Sequence, residues 1–238
     1  MKFVAVPYSR GSLGKNEGCE KAPLFLLSHY PHVRVSIDPA HFDSTMEQIS
    51  RADGDFFVGG DHSITYGSFK GFAQKFKNPG ILIFDAHPDL EEYTESVTHE
   101  DYLRKLIEEK IVKKHNVILI GVRAVSDNER TYMAGMQVYS MDVLFRNEES
   151  VCDMIMEYAR SFDGLYVSID IDVLDPAFAP GTGYLEPGGM DLPQLLYFLK
   201  RITHLTNLRR IDLVEINPEK DVHEMTINAG KKIIEIFT

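Results

Sequence analysis

Short apolar blocks punctuate the chain, and between them apolar residues recur every three or four positions. Blocks at residues 3–6, 33–37, 55–58, 80–84, 117–121, 136–139, 165–169 and 211–216 have the length and the branched or aromatic content of buried strands. The periodic stretches between them predict helices at 20–29, from an N-cap at Asp43, at 63–76 and 101–114, from Ser126, and at 148–161, 192–202 and 222–237. In 101–114, Leu103, Leu106, Ile107 and Ile111 fall at helical spacing, and Arg104, Lys105, Lys110, Lys113 and Lys114 read as a solvated face. Pro193 fits the first turn of its helix. There are no repeats, low-complexity tracts or linkers, which suggests one domain over 1–238. The expected fold class is α/β: a three-layer α/β/α sandwich around a mostly parallel sheet of about eight strands.

Three of these strands end in reactive side chains. Residues 80–84 run into Asp85-Ala86-His87-Pro88-Asp89, 55–58 into Gly59-Gly60-Asp61-His62-Ser63, and 165–169 into Asp170-Ile171-Asp172. Charges at the edge of an apolar layer are costly unless compensated, and a metal cation is the strongest compensator. Ligand sites in open α/β sheets lie beyond the carboxyl ends of the strands. The three ends are therefore expected to converge and to pool His62, Asp85, His87, Asp89, Asp170 and Asp172. Residues 85, 87 and 89 alternate, as do 170 and 172, so extended backbone would project each set to one side. Oxygen and imidazole donors without thiolate suit Mn, Mg or Fe better than a closed structural zinc site. These carboxylates exceed the charge that one divalent ion needs. Two ions about 3.5–4 Å apart, sharing carboxylates, fit better and would lower the pKa of a bridging water. The chemistry implied is metal-assisted hydrolysis.

Composition narrows the partners. The net charge of -11 argues against nucleic acid and favours a cationic small molecule. Cys19 and Cys152 are far apart and lack metal-type spacing, so reduced thiols in a cytoplasm are expected. The apolar start at residues 1–7 stops too soon for a signal peptide, and no apolar run approaches the ~20 residues that span a bilayer.

The three motifs, the last continuing as Val173-Leu174-Asp175-Pro176, resemble the metal-binding motifs of the ureohydrolase family, which includes arginase, agmatinase, formimidoylglutamase and guanidinobutyrase. The run Ala177-Phe178-Ala179-Pro180-Gly181-Thr182-Gly183, followed by Glu186-Pro187-Gly188-Gly189, is most similar to the agmatinase branch. The resemblance implies an arginase-like fold and two Mn2+ per chain. His62, Asp85, Asp89 and Asp170 would hold one ion, and Asp85, His87, Asp170 and Asp172 the other, with Asp85 and Asp170 bridging. It implies a guanidine or amidine substrate cleaved to urea or its analogue and an amine, and a homo-oligomer, trimer or hexamer. His99 stands where the family carries a proton shuttle, work that suits an imidazole. Glu215, in Val214-Glu215-Ile216-Asn217-Pro218, stands where a glutamate pairs with the guanidinium, through two parallel hydrogen bonds. The candidate catalytic residues are thus His99, Asp89 and Glu215.

The chain departs from the family pattern in several places. Glu100 replaces the glycine common after the histidine. Val97 stands where arginases carry an amide that reads the amino-acid end of their substrate, and a valine makes no such hydrogen bonds. Tyr184-Leu185 replaces Thr-Pro, so Tyr184 either reshapes the pocket or packs against its own loop; with Glu186 and Glu215 it is counted among the substrate contacts. The acidic loop of Glu91, Glu92 and Glu95 would border the entrance, favour a cationic tail such as that of agmatine, and repel a carboxylate. The expected activity is that of an agmatinase-type hydrolase of polyamine metabolism. The alternatives are hydrolysis of another guanidine, amidine or linear amide (arginine, guanidinobutyrate, formimidoylglutamate), or a non-catalytic metal-binding role.

Overall fold

The computed structural model describes residues 1–38, 41–93 and 96–238. Its strands are β1 (Phe3–Val6), β2 (His32–Arg34), β3 (Phe56–Gly59), β4 (Pro79–Phe84), β5 (Val117–Val122), β6 (Gln137–Ser140), β7 (Gly164–Asp170) and β8 (Leu208–Val214). They form one sheet in the order β2-β1-β3-β8-β7-β4-β5-β6, and every pairing is parallel. The helices are α1 (Ala22–Leu26), α2 (Phe42–Arg51), α3 (Ile64–Ala73), α4 (Tyr102–Glu108), α5 (Asp127–Tyr132), α6 (Met141–Arg146), α7 (Glu148–Ala159), α8 (Leu192–Ile202) and α9 (Met225–Ile236).

The pleat sends alternate strand residues to opposite faces. Leu82, Phe84, Ile118 and Ile120 pack with Leu26 of α1, Ile155 of α7, Phe198 of α8 and Ile233 of α9. Ile81, Ile83, Val117 and Leu119 pack on the other face with Ile49 of α2, Phe69 of α3 and Leu106 of α4. Both faces are covered, which is why the central strands read as continuous apolar runs. Each fully buried side chain of this size contributes about 2 kcal/mol. Gly60 is required where the chain leaves β3, since a Cβ there would lie 1.8 Å from the Tyr8 carbonyl oxygen.

Several expected boundaries move. The helix expected at 20–29 is a 3-10 turn, Cys19–Lys21, followed by α1 with a proline in its first turn. Strand β2 is shorter than 33–37 and lies exposed at the sheet edge. His41, not Asp43, caps α2; Asp43 sits in its first turn, where an acid suits the dipole. The helix expected at 101–114 stops at Glu108, because Lys110 adopts φ 59. Lys110, Lys113 and Lys114 thus lie beyond it, and Lys114 Nζ donates to the Tyr132 carbonyl at 2.8 Å and stands over the Tyr132 ring. Helix α9 begins at Met225 rather than 222, since His223 and Glu224 have φ of 53 and 56. Helix α6 is a single short element that the apolar periodicity did not signal. Helix α8 falls where expected, with Pro193 in its first turn and a capping box from Asp191 to Gln194.

The four neighbouring strands β3, β8, β7 and β4 occupy the middle of the sheet. The chemistry follows their carboxyl ends, as expected for a parallel sheet.

Candidate metal centre and active site

One local device shapes all three strand ends. Asp61 Oδ1 accepts the Ser63 amide at 2.9 Å, Asp85 Oδ1 accepts the His87 amide at 2.7 Å, and Asp170 Oδ1 accepts the Asp172 amide at 2.8 Å. Each aspartate thus folds the chain into a tight turn through its own side chain. This corrects the extended-backbone expectation. The segment Ile171–Val173 is a 3-10 turn, and Asp89 has φ 52, in the left-handed region. The side chains converge because the backbone curls at the strand ends. The Ala86 amide, which donates to Asp172 Oδ1 at 3.1 Å, ties two of the turns together.

Within this cluster, His62 Nδ1 lies 3.0 Å from Asp85 Oδ2, 3.0 Å from Asp89 Oδ2 and 3.1 Å from Asp170 Oδ2. One ring nitrogen carries at most one proton and cannot donate to three carboxylates. Both His62 Nδ1 and Asp85 Oδ2 are buried without a hydrogen-bond partner. Three oxygens and a nitrogen gathered in this way form a set that a cation satisfies. His62, Asp85 and Asp89 make one group able to hold an ion, and Asp85, His87 and Asp172 make a second. In the second, His87 Nδ1 is 3.0 Å from Asp172 Oδ2 and 3.5 Å from Asp85 Oδ1. Asp85 belongs to both groups, one oxygen facing each. The donors are oxygen and imidazole throughout, so the residues present fit hard divalent ions.

Electrostatics agrees with this reading. Burial, and then the charge of Asp85, pushes the Asp89 carboxyl up to about 8. Burial, and then Asp172 and Asp85, raises Asp170 well above the usual carboxylate range. Burial also works against the charged form of Asp85, but His62 and His87 outweigh it and hold that carboxyl low. Burial and mutual repulsion thus disfavour full ionisation of the cluster, which a cation would offset.

His62 is oriented from behind. Its Nε2 is 2.8 Å from Ser168 Oγ, which donates to Asp212 Oδ1 at 2.6 Å; Thr65 and Tyr166 donate to the other Asp212 oxygen. The Tyr102 hydroxyl is 3.0 Å from the same Nε2. This chain leaves Nδ1 to face the carboxylates.

Glu215 follows β8 with φ 65 and is 4% exposed. Its Oε1 accepts the His62 amide at 2.6 Å and its Oε2 accepts Asn16 Nδ2 at 2.6 Å. His99 is buried, with Nδ1 3.2 Å from Glu215 Oε1 and Nε2 unpartnered. Burial works against charge on this imidazole, but Glu215 prevails and raises it to about 9.

A cavity of about 280 Å³ opens onto these groups and is lined by His62, His87, Asp89, His99, Asp170, Asp172, Tyr184, Glu186 and Glu215. Tyr184 thus faces the cavity; its hydroxyl donates to Glu100 Oε1 at 2.6 Å. Glu186 Oε1 is 3.7 Å from His87 Nε2. The acidic loop is only partly at the mouth: Glu91 lines the cavity, Glu92 pairs with Arg104 at 3.6 Å and is largely exposed, and Glu95 lies outside the described residues. Val97 packs into the core. Asn16, Ser168, Asp212 and Arg123 were missed in the sequence. Ser168 and Asp212 read as ordinary strand residues, and Asn16 lies far away along the chain. Arg123 donates to carbonyls, including those of Asp172 at 2.6 Å and Glu186 at 2.8 Å, and so fixes the cavity wall. Cys19 and Cys152 are both buried and free. Among the described residues, no helix is long and apolar enough to cross a membrane.

Comparison with known proteins agrees with this geometry. The model of the Arginase family matches residues 4–237. A formimidoylglutamase from Halalkalibacterium halodurans is 36% identical over 184 residues, covering 74% of this chain and 58% of its own length. An agmatinase from Bacillus cereus is 35% identical over 201 residues, covering 81% of this chain and 67% of its own. This chain therefore spans only about three fifths to two thirds of these relatives, and the two identities do not separate the branches. In fold, the crystal structure of formimidoylglutamase from Bacillus subtilis superposes with a TM-score of 0.91 at 23% identity, covering 99% of this chain and 84% of that one. By its motifs, its sheet and the match along nearly its whole length, the chain belongs to the Arginase family.

Proposed function

We propose that this protein is a binuclear manganese hydrolase that cleaves the guanidino C–N bond of a small guanidino-amine such as agmatine, giving urea and an amine. The observation that carries this reading is the cavity lining. The ligand groups share one space with Glu215 and His99 and with Glu91, Glu100, Glu129 and Glu186, and among the described residues no lysine or arginine lines it. A substrate carboxylate meets repulsion from these glutamates, whereas a guanidinium and a second cation are attracted by them.

His62, Asp85, Asp89 and Asp170 would hold one Mn2+, and Asp85, His87, Asp170 and Asp172 the other. When bound, such a pair supplies a nucleophilic water at neutral pH. Glu215 receives the guanidinium and orients its carbon toward the cluster; Asn16 and the His62 amide keep its two oxygens in place. Asp89 lines the cavity, where its carboxylate would accept a proton from the attacking water. His99 keeps its proton through Glu215, and its Nε2, which has no hydrogen-bond partner, donates to the departing amine. Tyr184 and Glu186 line the cavity beside His99 and His87 and contact the rest of the substrate. The test is urea release with Mn2+ from agmatine, arginine and guanidinobutyrate. Agmatine is expected to dominate; equal turnover of guanidinobutyrate would overturn the assignment, and zero turnover of all three would favour the other amidines or a non-catalytic role.

A further inference from the structure

Glu100 and Tyr184 come from different loops and meet at the cavity. The Tyr184 ring stacks on His99 with centroids 5.7 Å apart at 25° and lies 5.2 Å from the His87 ring. From there its hydroxyl donates to Glu100 Oε1 at 2.6 Å. The one ion-pair neighbour of Glu100 among the described residues is His99 Nε2 at 3.9 Å, which also faces Oε1. Oε2 makes no hydrogen bond among those residues, and the side chain is 38% exposed at the cavity.

A second feature of the same wall points to a ligand. Thr182 lines the cavity, is 3% exposed, and its hydroxyl has no hydrogen-bond partner among the described residues. A buried hydroxyl left unpaired is costly, and a ligand N–H would relieve it. The loop that carries Thr182 and Tyr184 is held firmly. Arg123 binds the Glu186 carbonyl, and Asp175 accepts the Gly188 amide at 2.7 Å. A fixed tyrosine therefore aims a carboxylate with one open oxygen, which is the geometry that receives a compact cation.

We propose that Glu100, positioned by Tyr184, is the seat for a primary ammonium at the far end of the substrate, and so selects guanidines with a cationic tail. This rests on the reading of the site as one that binds guanidines. Glu91 and Glu186 add negative potential around it, and Thr182 offers a neutral acceptor to N–H groups along the ligand.

The experiment is calorimetric binding of 4-aminobutylguanidine and butylguanidine to the Mn2+-loaded chain, with urea release measured in parallel. These ligands have the same alkyl chain and differ only in the ammonium. The wild type is expected to prefer the amine by about 30-fold, the value of one charged hydrogen bond. Glu100→Gln is expected to bring that ratio close to one, and Tyr184→Phe to lower it several-fold. A merely structural role for either residue would weaken both ligands alike and leave the ratio intact. A ratio near one in the wild type, or one that survives Glu100→Gln, overturns the proposal. A preference that depends on Glu100 without urea from either ligand overturns the hydrolase reading and leaves the seat standing.

Discussion

Asn16 Nδ2 donates to Glu215 Oε2 at 2.6 Å and to the Glu215 carbonyl at 2.9 Å, across 199 residues of chain. One amide thus holds both the backbone and the side chain of a residue whose φ of 65 is uncommon outside glycine. Asn217 secures Asn16 in turn, Nδ2 to Oδ1 at 2.7 Å. The orientation of the buried carboxylate that would receive the guanidinium is therefore set by a loop near the N-terminus.

Asn16→Ala should lower kcat/KM for the guanidino substrate about 10- to 100-fold, the value of a hydrogen bond to a charged group. The circular dichroism spectrum should not change. Steady-state kinetics checks this, and an unaltered kcat/KM would mean that Glu215 is oriented without Asn16.

Removal of the relay behind His62 should act on the metal. Ser168→Ala and Asp212→Asn should each weaken Mn2+ binding about 10- to 100-fold, because the imidazole loses the partner that fixes its free nitrogen toward the carboxylates. Titration against a chelator measures this. Asp212→Asn should also cost about 2 kcal/mol of stability, since Tyr166, Thr65 and Ser168 all donate to that carboxylate.

The sequence was most legible where one physical rule dominated. Buried strands in a parallel sheet must be apolar on both faces, so β3, β4 and β7 stood out, and the polar residues at their ends stood out against them. The start of helix α8 was readable from Pro193 in its first turn; the structure adds the capping box of Asp191 and Gln194. The six candidate ligands came together, but for a different reason than alternation along a strand. Each leading aspartate folds its own backbone, a choice that period-2 reasoning does not contain. Asn16 and Asp212 gave no local signal, since their roles exist only through partners far away in the chain. The early stop of α4 at Glu108 was hidden because Ile111 keeps the helical spacing past the break at Lys110.

Asp175 offers a pH test away from the cluster. Its carboxylate accepts the Ala177 amide at 2.9 Å and the Gly188 amide at 2.7 Å, and these backbone donors hold its pKa below the usual range. A depressed carboxyl stabilises the fold above its unfolded value, about 3.9, and that stability is lost as pH falls through the lower folded value. The group is largely solvated, so Asp175→Ala should lower Tm by only about 3 °C at pH 7. The difference between wild type and variant should shrink as the pH is lowered from 5 to 3 in thermal melts. A difference that stays constant would show that charge on Asp175 does not hold the loop.

The most direct measurement is an anomalous difference map from crystals of the full chain soaked in Mn2+. Two peaks per chain are expected, one among His62, Asp85 and Asp89 and one among Asp85, His87 and Asp172. A map with no peak beside these residues would contradict the two-metal hydrolase.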